Sequence, residues 1–269
     1  LDQYGSGITS IIQVTSLDQI KPIKSLGQNF LRDKNIQTKI VEALDISSSD
    51  SILEIGPGEG AITDHLVSCS IDLTIIDKDS RAIALLRNKY KSIENIEIIE
   101  ADILKYQDYK ENTKIIGNLP YYISTQILFL LVTIRDISKI SVIMLQKEVA
   151  DRILSSPNCK EYGKLTVLLQ TFFEIKKVID VSPNCFYPKP KVWSTVIKMV
   201  SNDRHKDIDL EKYWIIIKTA FSQRRKQMKN TMKPISGFAH KPELVKFHHQ
   251  RPENLSTNDF IEIYRAIYE

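Results

Sequence analysis

From residue 51 the apolar positions alternate between strand and helix spacing. Ser51–Ile55 is a short, nearly continuous apolar run that stops at a glycine cluster, the pattern of a strand buried on both faces. Residues 61–67 follow with helical spacing. Residues 71–76 form a second β-branched strand that stops at Asp77, and residues 80–90 place Ile83, Leu86 and Tyr90 at helical intervals. A third strand over 96–99 ends in Glu100-Ala101-Asp102. A fourth over 114–116 ends in Gly117-Asn118-Leu119-Pro120-Tyr121. Residues 125–132 predict an apolar helix, 140–145 a fifth strand, and Lys147–Leu154 a polar helix. Strands alternating with helices predict an α/β fold: a parallel sheet covered on both faces. Residues 175–181 and 195–200, around Pro188-Lys189-Pro190, predict an antiparallel pair added at one sheet edge.

The pattern changes after Val200. Residues 201–209 are polar, as a linker is, and residues 210–221, 223–232, Pro242–Phe247 and Thr257–Tyr268 carry helical spacing. The first 20 residues show no period, and Gly5, Ser6 and Gly7 favour flexibility. The chain does not begin with Met, so part of this segment is expected to be processed or foreign. Three regions result: a flexible segment at 1–20, an α/β domain at 21–200 and a small C-terminal helical domain at 201–269.

Composition limits the options. Apolar residues at 42% suffice for a sizeable core, and 269 residues fit one large domain plus one small. No apolar run reaches the roughly 20 residues that a bilayer requires. No charged start precedes an apolar block, so no secretory leader is expected. Cys69, Cys159 and Cys185 are odd in number and far apart, which points to reduced thiols in a cytoplasmic protein. There is no HExxH, and His248 and His249 are adjacent and face different ways, so no metal site is expected. The net charge of +4 is uneven. Residues 183–269 hold 16 Lys and Arg against 9 Asp and Glu, and the remainder holds 21 against 24. A basic C-terminal third suggests a polyanion partner met from one side.

Four motifs carry candidate chemistry. In Glu54-Ile55-Gly56-Pro57-Gly58-Glu59-Gly60, glycines between strand and helix let backbone approach a ligand closely, although a tight turn alone has the same sequence. Glu54 and Glu59 would oppose a pyrophosphate and suit a cationic amino-acid ligand. Asp77, about 20 residues on, is placed to accept from both ribose hydroxyls of a nicotinamide or an S-adenosyl cofactor. Asp102 is either a ligand for an adenine amino group or a helix N-cap. Asn118-Leu119-Pro120-Tyr121 suits methylation of an adenine amino group, whose nitrogen lone pair is delocalised into the ring. The Asn118 amide oxygen and the Leu119 carbonyl can each accept one amino hydrogen, which favours a pyramidal nitrogen. Tyr121 can stack on the base and hold it in line.

These segments together resemble the KsgA-type ribosomal RNA adenine dimethyltransferases, close relatives of the erythromycin-resistance methyltransferases. Further matching segments are Leu26-Gly27-Gln28-Asn29-Phe30-Leu31, Leu145-Gln146-Lys147-Glu148-Val149-Ala150, Tyr162-Gly163-Lys164-Leu165, Phe186-Tyr187-Pro188-Lys189-Pro190-Lys191-Val192 and Gln223-Arg224-Arg225-Lys226. The resemblance implies a Rossmann-like S-adenosylmethionine-dependent methyltransferase domain with a small helical domain. It implies that Asn29, Leu31 and Gly56 contact the cofactor, that Asp77 takes its ribose and Asp102 its adenine, and that Asn118 meets the target amine. Phe186 would close the base pocket opposite Tyr121. The implied substrate is a pair of neighbouring adenines in the 3′-terminal hairpin loop of small-subunit ribosomal RNA. They would be dimethylated at N6 in a pre-ribosomal particle, late in subunit assembly, by a monomer. The target base must leave its stack to react. The chain departs from the family pattern at three places: Tyr122 for Asn, Trp193 for Asp, and Asp77 for Glu.

As a helix, residues 223–232 place Arg225, Lys229 and, one turn on, Lys233 along one side, with Arg224 and Lys226 beside them. Like charges so spaced repel by about 0.2–0.5 kcal/mol per pair, and RNA phosphates would turn that cost into attraction. Arg224, Arg225, Lys226 and Lys229 are therefore the expected RNA contacts. Three rival functions are weighed. Leu119 rather than Ile leans against a resistance-type enzyme acting on large-subunit RNA. Glu54, Glu59 and the Asn118–Tyr121 motif argue against a nicotinamide oxidoreductase. The intact Asn118-Leu119-Pro120-Tyr121 argues against a non-catalytic ribosome-binding relative.

Overall fold

The computed structural model describes residues 20–23, 26–69 and 71–269. The flexible segment expected at 1–20 lies, Ile20 excepted, outside the described residues. In chain order the elements are β1 (Phe30–Leu31), α1 (Lys34–Glu42), β2 (Ser51–Ile55), α2 (Thr63–Leu66), β3 (Asp72–Asp77), α3 (Ser80–Lys89), β4 (Ile96–Glu100), β5 (Lys114–Asn118) and α4 (Ser124–Thr133). There follow β6 (Ile140–Gln146), α5 (Lys147–Leu154), α6 (Lys164–Phe172), β7 (Phe173–Val181), β8 (Phe186–Tyr187), β9 (Ser194–Ser201), α7 (Leu210–Ala220), α8 (Met228–Thr231) and α9 (Thr257–Tyr268).

Seven strands make one sheet in the order β4-β3-β2-β5-β6-β9-β7. The first five are parallel, and β9 pairs antiparallel with both β6 and β7, the edge addition expected from the sequence. Alternate side chains feed two cores. Leu53, Ile55, Ile115, Ile143 and Leu145 point to one face, while Ile52, Ile116, Val142 and Met144 point to the other. Helix starts are fixed by side-chain acceptors: Asp33 caps α1, Asp79 caps α3, Asp209 caps α7 and Ser256 caps α9.

The C-terminal helices extend the first core rather than forming a separate one. Tyr213, Phe238, Phe247 and Phe260 are fully or almost fully buried in the cluster that contains Ile127 and Leu168. The Tyr162 hydroxyl donates to the Leu255 carbonyl at 2.8 Å. Phe221 stacks on Phe260 with centroids 5.8 Å apart.

Several expectations need correction. The helix over 61–67 shrinks to one turn, α2, followed by a 3-10 turn at Val67–Cys69. Pro242–Phe247 is a 3-10 helix. The continuous helix over 223–232 does not form. A 3-10 turn at Phe221–Gln223 is followed by an extended Gln227 (φ −68°, ψ 151°), and only Met228–Thr231 is α-helical. The amides that would start a longer helix bond elsewhere: Met228 N–H to the Gln250 carbonyl at 2.8 Å and Lys229 N–H to the His248 carbonyl at 3.1 Å. The stripe of like charges along one helix side is therefore absent. Four further elements, α1, α6, β1 and β8, are not predicted from the sequence. Helix α6 buries seven of its nine residues, so it has no polar face to set a period. Strands β1 and β8 have two residues each and pair antiparallel, Leu31 opposite Phe186.

Candidate active site

Strand order reverses between β2 and β5, and in an open α/β sheet the crevice at that switch point, beyond the strands' C-terminal ends, is where ligands bind. Ile55 is in register with Gly117, so Gly56 and Asn118 leave the sheet side by side. A Cβ on Gly56 would lie 3.8 Å from both the Asn118 carbonyl oxygen and Pro120 Cδ. Gly56 (φ +68°) and Gly58 (φ +57°) are left-handed, where a side chain is strained. At Gly58 a Cβ would also stand 2.9 Å from the Phe30 ring. The glycine turn therefore keeps a backbone wall flat against the crevice. Asn29, Leu31, Gly56, Asp77, Asp102 and residues 118–122 all line one cleft.

The β1–β8 ribbon brings the 26–31 segment over this cleft. The Asn118 amide Nδ2–H donates to the Asn29 carbonyl at 3.1 Å. A carbonyl can only accept and an amide oxygen cannot donate, so this bond fixes which end of the amide is which and leaves Oδ1 for another donor. Among the described residues, none donates to Oδ1. The Asn29 side chain turns back to the Gly27 carbonyl at 3.0 Å, steadying the segment that holds Asn118. Leu119 is buried, with its N–H on the Met144 carbonyl at 3.0 Å. Tyr121 bonds through its hydroxyl to the fully buried Ser194 at 2.7 Å. Burial pushes the Tyr121 phenol above its ordinary value, partly offset by the Ser194 bond. Phe186 is buried in the second core, its backbone paired with Leu31, which lines the cleft.

The acidic residues are each tied to the protein. Glu54 is 1% exposed and accepts from the Thr63 hydroxyl at 2.6 Å. Burial pushes its carboxyl up to about 8; the Thr63 bond opposes this, and the nearby Asp64 and Asp77 charges add to it. Glu59 pairs with Arg32 at 2.6 Å and accepts the Ile20 N–H at 2.8 Å. Burial thus works against a charge on Glu54, while the charge on Glu59 is compensated by Arg32. Asp77 accepts the Asp79 N–H at 2.9 Å and the Gly58 N–H at 3.3 Å, and burial raises its carboxyl above the usual range against those two bonds. Asp102 does two things. It caps the 3-10 turn through the Leu104 N–H at 3.1 Å and pairs with Lys78, also at 3.1 Å. Burial alone would raise its carboxyl, but Lys78 and the Leu104 amide outweigh it and hold it below the usual range. Asp79, buried beside Asp77, is held down at about 2 by Arg81, and Gln28 donates to it at 2.7 Å.

Sequence reasoning missed Ser194, Gln28 and Lys78 as partners of the site. Gln28 stood inside a matching segment without an assigned partner. Ser194 and Lys78 carry no sequence signal, because each acts through a neighbour distant along the chain. The departures Tyr122 and Trp193 are both about half exposed, at 51% each.

The basic segment splits. Arg224 is committed to the protein: its guanidinium pairs with Glu253 at 2.6 Å and donates to the carbonyls of Cys159, at 2.8 Å, and Lys160. Arg225, Lys226 and Lys229 are exposed and make no ion pair among the described residues. Also among the described residues, no helix is long and apolar enough to cross a membrane, and no three His, Cys, Asp or Glu group as metal ligands would.

A five-stranded parallel sheet with an antiparallel edge, and a switch-point cleft walled by glycine, strand-end carboxylates and an Asn-Leu-Pro-Tyr loop, define a Rossmann-like methyltransferase. The chain belongs to the ribosomal RNA adenine dimethylase family, whose model matches residues 20–267. Ribosomal RNA small subunit methyltransferase A of Borreliella afzelii is 39% identical over 97% of this chain and 94% of its own. The protein of the same name from Malacoplasma penetrans is 41% identical over 91% of this chain and 92% of its own. The crystal structure of a dimethyladenosine transferase from Plasmodium falciparum, 28% identical, superposes with a TM-score of 0.79 over 87% of this chain and 95% of that one.

Proposed function

We propose that this chain is a ribosomal RNA (adenine-N6,N6)-dimethyltransferase acting on small-subunit RNA with S-adenosylmethionine. Its targets would be the two neighbouring adenines of the 3′-terminal hairpin, late in subunit assembly. The observation that carries the reading is the Asn118 side chain, anchored at the switch point by its own N–H with its oxygen left to accept.

The donor set suits the cofactor. Asp77 has two oxygens that each hold one backbone N–H and retain acceptor capacity for two ribose hydroxyls. Asp102 keeps acceptor capacity for an adenine amino group, and the flat wall at Gly56 leaves room for the ligand's chain. When bound, S-adenosylmethionine supplies an electrophilic methyl group on a sulfonium. Everything else falls to the protein. Asn118 Oδ1 and the Leu119 carbonyl accept the two amino hydrogens and favour a pyramidal nitrogen with its lone pair directed outward. Tyr121, its hydroxyl fixed on Ser194, offers a ring face that holds the base in line. Positioning of this kind supplies most of the rate, and no strong base is needed once the nitrogen is alkylated. Arg225, Lys226 and Lys229 meet RNA phosphates without reading base identity; Arg224 differs from them in that three of its five N–H donors are spent on Glu253, Cys159 and Lys160.

The test is methyl transfer from labelled S-adenosylmethionine to small-subunit particles that lack the modification, with mapping of the labelled bases. Two dimethylated adenines in the 3′-terminal hairpin are expected. Label on large-subunit RNA only, or none, would refute the reading.

A further inference from the structure

Among the described residues, four large apolar side chains are more than half exposed: Tyr187 (58%), Val245 (54%), Tyr122 (51%) and Trp193 (51%). Tyr122 lines the cleft, and the other two aromatics neighbour residues of the cleft or their partners in chain or register. Tyr122 follows Tyr121 and lines the cleft mouth, where its ring edge lies close enough to Gly27 that a Cβ there would be 3.3 Å from it. Trp193 precedes Ser194, which holds the Tyr121 hydroxyl at 2.7 Å. Tyr187 is in register with Phe30, another cleft-lining residue. The Trp193 backbone is held even though its side chain is half exposed: its carbonyl accepts the Lys147 N–H at 2.9 Å, and the next residue, Ser194, is fully buried. Lys189 and Lys191, between Tyr187 and Trp193, are exposed and make no ion pair among the described residues.

Leaving a tryptophan and two tyrosines in water forgoes burial worth about 25 cal/mol per Å² of apolar surface. Exposed aromatic rings and unpaired lysines near a cleft for one base match what single-stranded RNA presents: π-faces on a phosphate chain. We propose that Tyr122 and Trp193 are positioning residues that stack on the nucleobases flanking the target adenine once it has left its stack. Lys189 and Lys191 hold the adjoining phosphates. The inference rests on the RNA-methyltransferase reading and adds to it where the neighbouring nucleotides go.

The chain has two tryptophans. Trp214 is edge-on to Phe129 at 4.7 Å, so Trp214→Phe leaves Trp193 as the only indole reporter. Titrating that variant with a single-stranded adenine-containing RNA hairpin should quench its fluorescence, saturably and at low salt. In steady-state methyl transfer to the same hairpin, Tyr122→Ala and Trp193→Ala should each raise the RNA KM about tenfold, about 1.4 kcal/mol. The change in kcat should be smaller, and affinity for S-adenosylmethionine should hold. Tyr122→Phe and Trp193→Phe should restore most of the RNA affinity, since they keep a ring to stack. An absent quench, an unchanged KM in the alanine variants, or phenylalanine variants as weak as alanine would each overturn the stacking proposal. A loss seen on assembled particles but not on the bare hairpin would also overturn it, because the rings would then meet protein. Failure of the parent enzyme to methylate small-subunit particles is a separate result that strikes the function itself.

Discussion

The cleft and the basic segment at 224–233 treat charge in opposite ways. In the cleft each acidic side chain is engaged by its own chain: Glu59 by Arg32, Asp79 by Arg81, Asp102 by Lys78, Asp77 by the Gly58 and Asp79 amides, and Glu54 by the Thr63 hydroxyl. In the basic segment Arg224 alone is so engaged, while Arg225, Lys226 and Lys229 stand exposed. A buried charge is costly unless paired, so a pocket for a small ligand must be finished before the ligand arrives. An exposed cation costs little, and can wait for a polyanion. The two regions thus predict different kinds of mutational effect: sharp and local in the cleft, graded and salt-dependent on the surface.

The largest effect is expected at Asn118. Replacing it with Ala removes the acceptor for the target amine and the bond to the Asn29 carbonyl, but leaves the carboxylates in place. Single-turnover methyl transfer should fall about 10³-fold, in the range seen when one preorganised polar group is deleted from an active site. S-adenosylmethionine affinity should change little. Near-normal transfer would break the claim that this amide prepares the nitrogen.

Asp77→Ala comes next. Losing charge-assisted bonds worth about 1.5–3 kcal/mol each should weaken S-adenosylmethionine binding at least a hundredfold by calorimetry. Because burial raises the Asp77 carboxyl, affinity in the parent should decline as pH falls, and that decline should vanish in the variant. Binding of NAD in place of S-adenosylmethionine would sink the cofactor reading.

How far these sites were legible in the sequence depended on whether the signal was local. Strand ends are local, so Asp77, Asp102 and Asn118 could be placed from apolar runs that stop at polar residues. The antiparallel edge pair announced itself as two β-branched runs around a Pro-rich turn. The β1–β8 ribbon did not: two residue pairs, 157 and 155 positions apart along the chain, leave no periodicity. Helix α6 hid because both its faces are buried. The basic helix failed for the opposite reason. Its spacing was helical, but the amides of Met228 and Lys229 bond to the chain at 248–250, and tertiary pairing overrode local propensity. The charge state of Glu54 was equally out of reach, since burial sets it.

Glu54 gives a third, smaller effect. Its carboxyl is raised to about 8 in the fold by burial and has an ordinary value when unfolded. The folded state therefore keeps a proton that the unfolded chain has released. This contribution to stability is complete below the unfolded value and is lost as pH rises through about 8. Between about pH 5.5 and 7.5 the parent should lose roughly 2–3 kcal/mol from this group, at about 1.4 kcal/mol per pH unit. Glu54→Gln, which keeps an acceptor for Thr63, should flatten that part of the stability curve in denaturant titrations. An identical slope in both proteins would mean that Glu54 is ionised in the fold.

The smallest effects belong to the basic segment, and here the comparison can be tested within six residues. Arg225, Lys226 and Lys229 make no ion pair among the described residues, so replacing all three with Gln should leave the melting temperature nearly unchanged. Particle binding should weaken, and its log–log salt dependence should fall by about 0.7–0.9 for each phosphate no longer neutralised. Arg224→Gln should do the reverse. It breaks the Glu253 pair and the bonds to the Cys159 and Lys160 carbonyls. With solvent screening its partly exposed charge, a stability loss of about 1 kcal/mol is expected, with the salt slope intact. Filter binding across a salt series, paired with thermal melts of both variants, reads the two quantities independently. If the triple variant binds particles with unaltered affinity and slope, those cations are ordinary solvated surface. The RNA is then held by the aromatic and lysine rim of the cleft. If Arg224→Gln shifts the slope and not the melt, its bonds to the protein are incidental and it belongs with the RNA-binding set after all.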